Sequence, residues 1–345
     1  MLSKKLISVV GARPQFVKHA ILSKELNKRF VSKTIHTGQH HDSQMSGNIF
    51  ADLGLSNPDW NLEINGGRHG EMTGRMIIAI EQILLQEEPD GIILYGDTNS
   101  TLAGAVAASK LGIPIFHVEA GVRSGNYNMP EEVNRVLTDA VADLLFAPSN
   151  IAVSNLERLS LKGRIVYTGD IMKDLILQKS VIDGDNDSIL LTLHRPYNCD
   201  EISRLKHIMN SINNLNLSVI FPAHPRTRKT LNDSNLLDHY KNIKIVEPLN
   251  YSEIIQALSH CKALITDSGG MQKEAYWLRK KCITIRSETE WSETLIGGWN
   301  ILMFNDFSQL KEQIYSETSS YNNSLYGNGK AAELISEAIV NYFEE

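Results

Sequence analysis

Three carboxylates in the first half of the chain stand where apolar, strand-like runs give way to polar residues. Asp97 closely follows the run Gly91–Tyr95, Glu119 directly follows the run Ile113–Val118, and Glu131 lies at the predicted start of a helix. A carboxylate at the end of an apolar strand is costly unless it is solvated, paired or catalytic. We therefore predict that the trio transfers protons, which requires carboxyl pKa values raised by a shielded site.

Two of these carboxylates also have an ordinary structural interpretation. Asp97 sits where a strand becomes a helix, a position at which aspartate commonly caps the helix. Glu131, in a first helical turn, would complement the helix dipole. The sequence alone leaves these alternatives open.

Two histidines end strand-like runs of the second half. His194 lies in the motif L-H-R-P after the run Ser188–Leu193, and His224 lies in F-P-A-H-P-R after Ser218–Pro222. A histidine at a strand end can act as a general acid or bind phosphate, and the alternative is a purely structural histidine.

A first turn typical of anion binding follows the run Leu6–Val10. In G-A-R-P-Q-F-V-K, Pro14 can begin a helix, and Arg13 and Lys18 add positive charge near its N-terminus. The alternative is an ordinary strand–helix loop with a solvated arginine. The motif is not G-x-G-x-x-G, so a nicotinamide site is not indicated.

A second such turn lies in I-T-D-S-G-G-M-Q-K-E. The small residues Ser268, Gly269 and Gly270 let the backbone N–H groups of a helix N-terminus approach phosphate oxygens. Glu274 lies one turn further and is placed to hold ribose hydroxyls. Glu290, in the charged segment Arg286–Glu293, is expected to line the same site.

A polar motif, T-G-Q-H-H-D, follows the run Thr34–His36. We expect Gln39 and His40 to contact a sugar or a phosphate. A metal is the weaker alternative, because adjacent histidines at a strand end point apart and no third ligand has suitable spacing. We predict no metal.

Composition narrows the class of protein. The 345 residues carry a net charge of −6, which argues against a general nucleic-acid binder. No apolar stretch approaches the roughly 20 residues of a membrane helix, and Met1–Lys5 runs directly into a strand, so neither a membrane span nor a signal peptide is expected. The separated cysteines Cys199, Cys261 and Cys282 indicate reduced thiols in a cytoplasmic protein.

Short apolar runs alternate with amphipathic, helical segments along nearly the whole chain, which predicts an α/β, doubly wound fold. We place a first Rossmann-like domain at residues 1–168, a second at 169–328, and a C-terminal helix at 329–345 that packs back on the first. The predicted strands are Leu6–Val10, Thr34–His36, Gly91–Tyr95, Ile113–Val118, Asp143–Ala147, Ser188–Leu193, Ser218–Pro222, Ile243–Val246, Lys262–Thr266 and Cys282–Arg286.

In this order, the motifs resemble those of the non-hydrolysing UDP-N-acetylglucosamine 2-epimerases, from about Gly11 to Asn300. The resemblance implies the glycosyltransferase-B fold, in which two Rossmann-like domains face each other across a cleft, and a homodimer. It also implies a mechanism without a redox cofactor. UDP is eliminated across C1–C2 of the sugar to give a 2-acetamidoglucal, and UDP is then added back with the proton on the other face of C2.

The resemblance also assigns roles to residues. The family's catalytic acids fall on Asp97, Glu119 and Glu131, and its catalytic histidine falls on His194. The positions that bind UDP or line the cleft fall on Arg13, Arg135, His224, Ser268, Gly269, Gly270 and Glu274.

One departure from the family pattern concerns H-R-x-E-N, where this chain has Tyr197 in place of the glutamate. Other motifs, such as T-E-W at 289–291, resemble those of relatives that act on UDP-2,3-diacetamido-2,3-dideoxy-glucuronate. For a sugar carboxylate the candidate partners are Arg68, Arg75 and Arg123. The rival functions are a hydrolysing 2-epimerase, a glycosyltransferase of the same fold, and a nucleotide-sugar sensor without turnover.

Overall fold

The computed structural model describes residues 4–39, 50, 53–178 and 186–345. Contacts between Cα atoms divide the chain into two compact units. The first unit comprises residues 1–178 and 324–345, and the second comprises residues 179–323. Residues 169–178 and 324–328, which the sequence analysis gave to the second domain, lie with the first unit. Helix Ile171–Gln178 packs on helix Arg13–Leu26 there.

The first unit is built on a parallel sheet with the strand order β3-β2-β1-β4-β5-β6-β7. Its strands are β1 (Lys5–Val10), β2 (Val31–His36), β3 (Trp60–Asn61), β4 (Gly91–Tyr95), β5 (Ile115–Val118), β6 (Leu144–Ala147) and β7 (Arg164–Tyr167). Its helices are α1 (Arg13–Leu26), α2 (His69–Glu87), α3 (Asn99–Leu111), α4 (Pro130–Val141), α5 (Asn150–Glu157), α6 (Ile171–Gln178) and the C-terminal helix (Ala331–Glu344).

The second unit repeats this plan with the strand order β10-β9-β8-β11-β12-β13. Its strands are β8 (Ile189–Thr192), β9 (Val219–Pro222), β10 (Ile243–Val246), β11 (Ala263–Thr266), β12 (Lys281–Thr284) and β13 (Asn300–Leu302). Its helices are α7 (Pro196–Cys199), α8 (Ile202–Asn213), α9 (Pro225–Asp233), α10 (Tyr251–His260), α11 (Gly269–Trp277), a 3-10 helix (Ser292–Gly298) and α12 (Leu310–Tyr315).

The central strands are buried on both faces, as parallel sheets covered by helices require. Strands β4, β5, β6, β8 and β11 are buried along their whole length, which explains why they stand out as apolar runs in the sequence. All ten predicted strands are present, with ends that differ by up to three residues. The strands β3, β7 and β13 were not predicted.

The C-terminal helix packs on α1 and α6 of the first unit. Ile335 and Ile339 are buried in a core that also contains Leu22 and Leu26. The carboxylate of Asp174 accepts hydrogen bonds from the N–H groups of Ala331 (3.1 Å) and Ala332 (2.8 Å), and therefore caps this helix.

Strand order reverses at one point in each unit. In the first unit the reversal lies between β1 and β4, and in the second it lies between β8 and β11. In open α/β sheets, ligands bind outside the carboxyl ends of the strands at such a point. The loops that begin at Gly11, Gly96, Leu193 and Asp267 are therefore the ones expected to hold chemistry. Among the described residues, no helix is long and apolar enough to cross a membrane.

Candidate active site

Asp97 lies in the turn between β4 and α3. Thr98, not Asp97, caps α3, because the Thr98 side chain accepts a hydrogen bond from the N–H of Thr101. The interpretation of Asp97 as a helix cap is therefore wrong. Its carboxylate instead forms an ion pair with Arg135 of α4, and Asn134 donates to its backbone carbonyl at 2.9 Å.

The electrostatic surroundings of Asp97 favour its protonated form. Burial raises the pKa of the Asp97 carboxyl, and the negative charges of Glu119 and Glu131 raise it further. The positive charges of Arg135 and Lys18 oppose this shift without cancelling it, so the pKa stays above its ordinary value. A raised pKa in a carboxylate cluster is what the sequence analysis predicted for a proton-transfer site.

Glu119 follows β5, and its backbone is left-handed, with φ of 72°. A non-glycine residue in that region is uncommon and is over-represented at functional sites. Its side chain is 12% exposed, and Lys18 Nζ lies 2.6 Å from its Oε2 atom. Lys18, predicted to bind an anionic ligand, forms an ion pair with Glu119.

A buried network supports the turns that carry Asp97 and Glu119. His117 faces an acceptor with each ring nitrogen: Nδ1 donates to Asp139 at 2.7 Å and Nε2 donates to the carbonyl of Gly96 at 2.8 Å. Asp139 also accepts from the N–H of Gly121 and forms an ion pair with Arg123. This network was missed in the sequence, because an aspartate inside a helix gives no signal of a partner 22 residues away.

Gly121 is needed where this turn meets α5. Its φ is 79°, and a Cβ atom there would lie 2.4 Å from the backbone carbonyl oxygen of Ala152. Only glycine fits so close an approach to backbone.

The two adjacent glutamates at the start of α4 have different environments. Glu132 is buried and accepts from the N–H groups of Ser124 and Gly125 and from Arg135. Glu131 is only partly buried, and its charge acts on Asp97. Glu132 therefore builds the preceding loop, while Glu131 belongs to the carboxylate cluster, as predicted from its position.

The loop after β1 is fastened to the turn after β4 by Gln15. Its Oε1 atom accepts from the N–H groups of Gly11 and Ala12, and its Nε2 atom donates to the Tyr95 carbonyl at 2.7 Å. Arg13 lies in the first turn of α1, two residues before Gln15. Sequence analysis singled out Arg13 but not Gln15.

Gln39 contacts the start of α3, next to the turn that carries Asp97. Its Oε1 atom accepts from the N–H (3.0 Å) and the hydroxyl (2.7 Å) of Ser100 in α3. The predicted contact residue His40 lies outside the described residues, as do His41 and Asp42.

In the second unit, the reversal point holds His194 and the glycine turn. The His194 side chain is 44% exposed, and its Nδ1 atom lies 3.1 Å from the buried carboxylate of Asp267. Ser268 is the N-cap residue of α11, Gly269 and Gly270 form its first turn, and Glu274 is buried in its second turn. His224 caps α9 at the end of the neighbouring strand β9, where its Nδ1 accepts from the N–H of Arg226.

Glu290 lies beside the N-terminus of α11. It pairs with the buried Arg286 at 2.9 Å, and its Oε1 atom lies 2.5 Å from where a Cβ of residue 269 would stand. Beside it, Lys273 lies over the ring of Trp291 at 3.5 Å. Glu290 of the 286–293 segment therefore lies beside the glycine turn.

If the N-terminus of α11 binds UDP, as the resemblance implies, Gly269→Ala should weaken that binding about tenfold, the equivalent of about 1.4 kcal/mol, because the new methyl group must displace Glu290. The clash involves the end of a flexible side chain, so the protein should fold normally. Calorimetric titration with UDP measures the effect. Gly74→Ala, in helix α2, is the matched control, since a Cβ there meets nothing within 4 Å; equal affinity in the two variants would contradict the prediction.

Comparison with known proteins decides the family. The family model of UDP-N-acetylglucosamine 2-epimerase matches residues 24–340. The chain belongs to this family. It is therefore an epimerase, as predicted.

Individual members of the family match almost end to end. A UDP-N-acetylglucosamine 2-epimerase homolog of Methanococcus maripaludis is 43% identical, over 98% of this chain and 99% of that protein. The UDP-2,3-diacetamido-2,3-dideoxy-D-glucuronate 2-epimerase of Pseudomonas aeruginosa is 41% identical, over 96% and 98%.

A solved structure agrees with the fold. The crystal structure of Methanocaldococcus jannaschii UDP-GlcNAc 2-epimerase in complex with UDP-GlcNAc and UDP matches with a TM-score of 0.89 and 41% identity, over 98% of this chain and 99% of that one. The predicted fold class, two Rossmann-like α/β units of the glycosyltransferase-B type, is thereby confirmed.

Proposed function

We propose that the protein inverts C2 of a UDP-linked 2-acetamido sugar without releasing free sugar. The observation that carries this proposal is the cluster of carboxylates that follows β4 and β5. Lys18 Nζ lies 2.6 Å from Glu119, and burial together with the charges of Glu119 and Glu131 raises the pKa of Asp97. A site that removes a proton from one face of a carbon and returns one to the other face needs one base and one acid.

The proposed reaction balances without a redox cofactor. Glu119 takes the C2 proton, the bond between C1 and the UDP oxygen breaks, and a C1=C2 double bond forms. Asp97 then delivers a proton to the opposite face of C2 while the UDP oxygen adds back to C1. Burial keeps the pKa of Asp97 raised, with added contributions from the charges of Glu119 and Glu131, and Arg135 holds its carboxyl group in place.

The second unit supplies groups suited to UDP. The N–H groups at the start of α11 favour phosphate oxygens, and the small residues Ser268, Gly269 and Gly270 leave them accessible. We propose that Glu274, one turn further along α11, binds the ribose hydroxyls, and that His194 protonates or binds the departing β-phosphate. Arg13, Gln39 and His224 are proposed as further polar contacts.

Proton NMR in deuterated water tests the proposal. With UDP-N-acetylglucosamine, we expect the C2 proton to exchange for deuterium and a UDP-N-acetylmannosamine signal to grow, with all sugar remaining UDP-linked. Release of free sugar and UDP would instead establish the hydrolysing alternative. If both exchange and conversion were absent with this substrate and with the diacetamido uronate, the proposal would be contradicted.

The names of the relatives give two candidate substrates, UDP-GlcNAc and the UDP-linked diacetamido uronate. Of the three candidate partners for a sugar carboxylate, Arg123 is paired with Asp139, and Arg75 donates to the carbonyls of Asn65 and Gly66. Within the described ranges, Arg68 has no partner, and it is exposed. The adjacent His69 accepts a hydrogen bond from Asn99, two residues from Asp97.

If the substrate is a uronate, Arg68→Gln should lower kcat/KM for it at least about tenfold, because a partly desolvated carboxylate loses its ion pair. The same variant should leave kcat/KM for UDP-N-acetylglucosamine within about twofold. Arg75→Gln serves as the matched control. Equal losses of kcat/KM for both sugars would exclude Arg68 as the residue that binds the sugar carboxylate.

We also propose that the chain forms a homodimer. Ile78 and Leu85 lie seven residues apart on α2, and both are exposed, at 60% and 59%. Residues at that spacing share a helix face. Light scattering should give twice the mass of one chain.

A further inference from the structure

The carboxylate of Asp267 is not assigned any role in the proposed reaction, yet it contacts the imidazole of His194. Asp267 follows β11 and has no exposed surface. In the sheet, Thr266 pairs with Thr192 of the neighbouring strand β8, and their hydroxyl oxygens lie 2.6 Å apart. This register sets Asp267 directly beside the residues that follow β8.

Four donors converge on this carboxylate. Its Oδ1 atom accepts from the N–H of His194 at 3.0 Å and lies 3.1 Å from His194 Nδ1. Its Oδ2 atom accepts from the N–H of Arg195 at 3.0 Å and from the Asn198 amide at 3.1 Å. Burial acts to raise the pKa of Asp267, but these donors outweigh it, so the pKa lies below its ordinary value.

An ionised carboxylate can only accept hydrogen bonds, so the Nδ1 atom of His194 must carry the hydrogen. The other ring nitrogen, Nε2, is then the one left to exchange a proton or to contact phosphate. Because backbone and ring of His194 are bound by the same carboxylate, the ring cannot turn without breaking a buried hydrogen bond. The exposed part of the side chain is therefore presented in one orientation.

We infer that Asp267 is a positioning residue that fixes His194 as the Nδ1–H tautomer and thereby directs Nε2 to the β-phosphate of the UDP-sugar. The part of this inference that concerns phosphate rests on the proposed function. The tautomer does not, because it follows from the hydrogen-bond geometry alone.

A purely structural role is the alternative, since Asp267 also holds the turn after β8. Asn198 makes that turn rigid in its own right: it donates to Asp267 and to the carbonyl of Ile285, and accepts from Arg204. An experiment must therefore separate an effect on the His194 ring from an effect on the turn.

The first measurement is a long-range ¹⁵N–¹H correlation spectrum of the histidine side chains, with the His194 signal assigned from its absence in His194→Gln. We expect the neutral wild-type ring to carry its hydrogen on Nδ1. A ring with its hydrogen on Nε2 would overturn the inference, even if the protein proved to be an active epimerase. If no UDP-sugar were turned over, the Nδ1–H result would still stand.

The second measurement is a double-mutant cycle on kcat. Asp267→Asn should lower kcat at least about tenfold in the wild-type background and less than about twofold in His194→Gln, because the two residues act as a unit. Additive losses would indicate a role in the turn alone and overturn the inference. Asp174→Asn is the matched control, a buried carboxylate that also accepts two backbone N–H groups; it should lower Tm without lowering kcat.

Discussion

Glu119→Gln is expected to lower kcat by about a thousandfold while leaving UDP affinity unchanged. Glutamine keeps the size of the side chain and an oxygen for Lys18, which lies 2.6 Å away, but it cannot take up the C2 proton. General acid–base groups contribute about 10²–10⁴-fold to enzymatic rates. Initial rates with each candidate sugar measure the loss.

Deuterium exchange sharpens this test. If Glu119 is the base, the variant should lose exchange at C2 together with epimerisation, since no later step can occur before the proton is removed. Exchange that persisted without epimerisation would reverse the assignment and make Glu119 the group that returns the proton. Glu25→Gln, at a half-buried glutamate of α1 paired with Lys28, controls for the loss of a carboxylate.

Asp139→Ala is expected to lower the free energy of unfolding of the first unit by about 3–5 kcal/mol. The change leaves His117, which is fully buried, and Arg123 without the carboxylate that both contact at 2.7 Å. Removing one partner of a buried ion pair strands the other charge in a poorly solvated site. Hydrogen exchange measured by mass spectrometry on peptides from 91–147 reports this unit separately from the second.

The contribution of Asp139 to the free energy of unfolding depends on pH, and the pKa of its carboxyl group sets that dependence. Burial acts to raise it, but His117 and Arg123 hold it below the ordinary value of 3.8. A carboxyl group whose pKa is depressed by folding stabilises the folded state above its unfolded pKa, and this contribution is lost as the pH falls through the folded pKa. The difference between wild type and Asp139→Ala should therefore be full at pH 7 and shrink well below pH 4.

Asp143→Asn provides a comparison within the same unit. Asp143 accepts from the N–H of Ile115 at 2.9 Å and pairs with the exposed Lys162. Its loss should cost only about 1 kcal/mol, because water can replace its partners. If the two variants were equally stable, the buried network would not support the site as described.

Predicting the fold from the sequence succeeded where burial left a clear pattern. Strands β4, β5, β8 and β11 are buried on both faces, so nearly every residue in them is apolar. The missed strands lack that signal. Strand β7 has no fully buried residue, and β3 has only two residues; both stand at the edges of the sheet.

The site residues that could be predicted from the sequence are those that directly follow a strand. Residues that follow parallel strands meet at one edge of a sheet, so Asp97 and Glu119 could be placed together without coordinates. The same argument brought His194 to the edge that holds the glycine turn 268–270. These placements depend only on local sequence and on the parallel order of the strands.

Which side chains pair across that edge was decided by tertiary structure. Lys18 reads as an anion ligand in its own motif, yet its partner is Glu119, 101 residues away. Asp267 reads as part of a phosphate turn, yet it binds His194, 73 residues away. Such pairings depend on the strand order and register, which determine the distance between atoms, whereas the sequence specifies only which residues follow each strand.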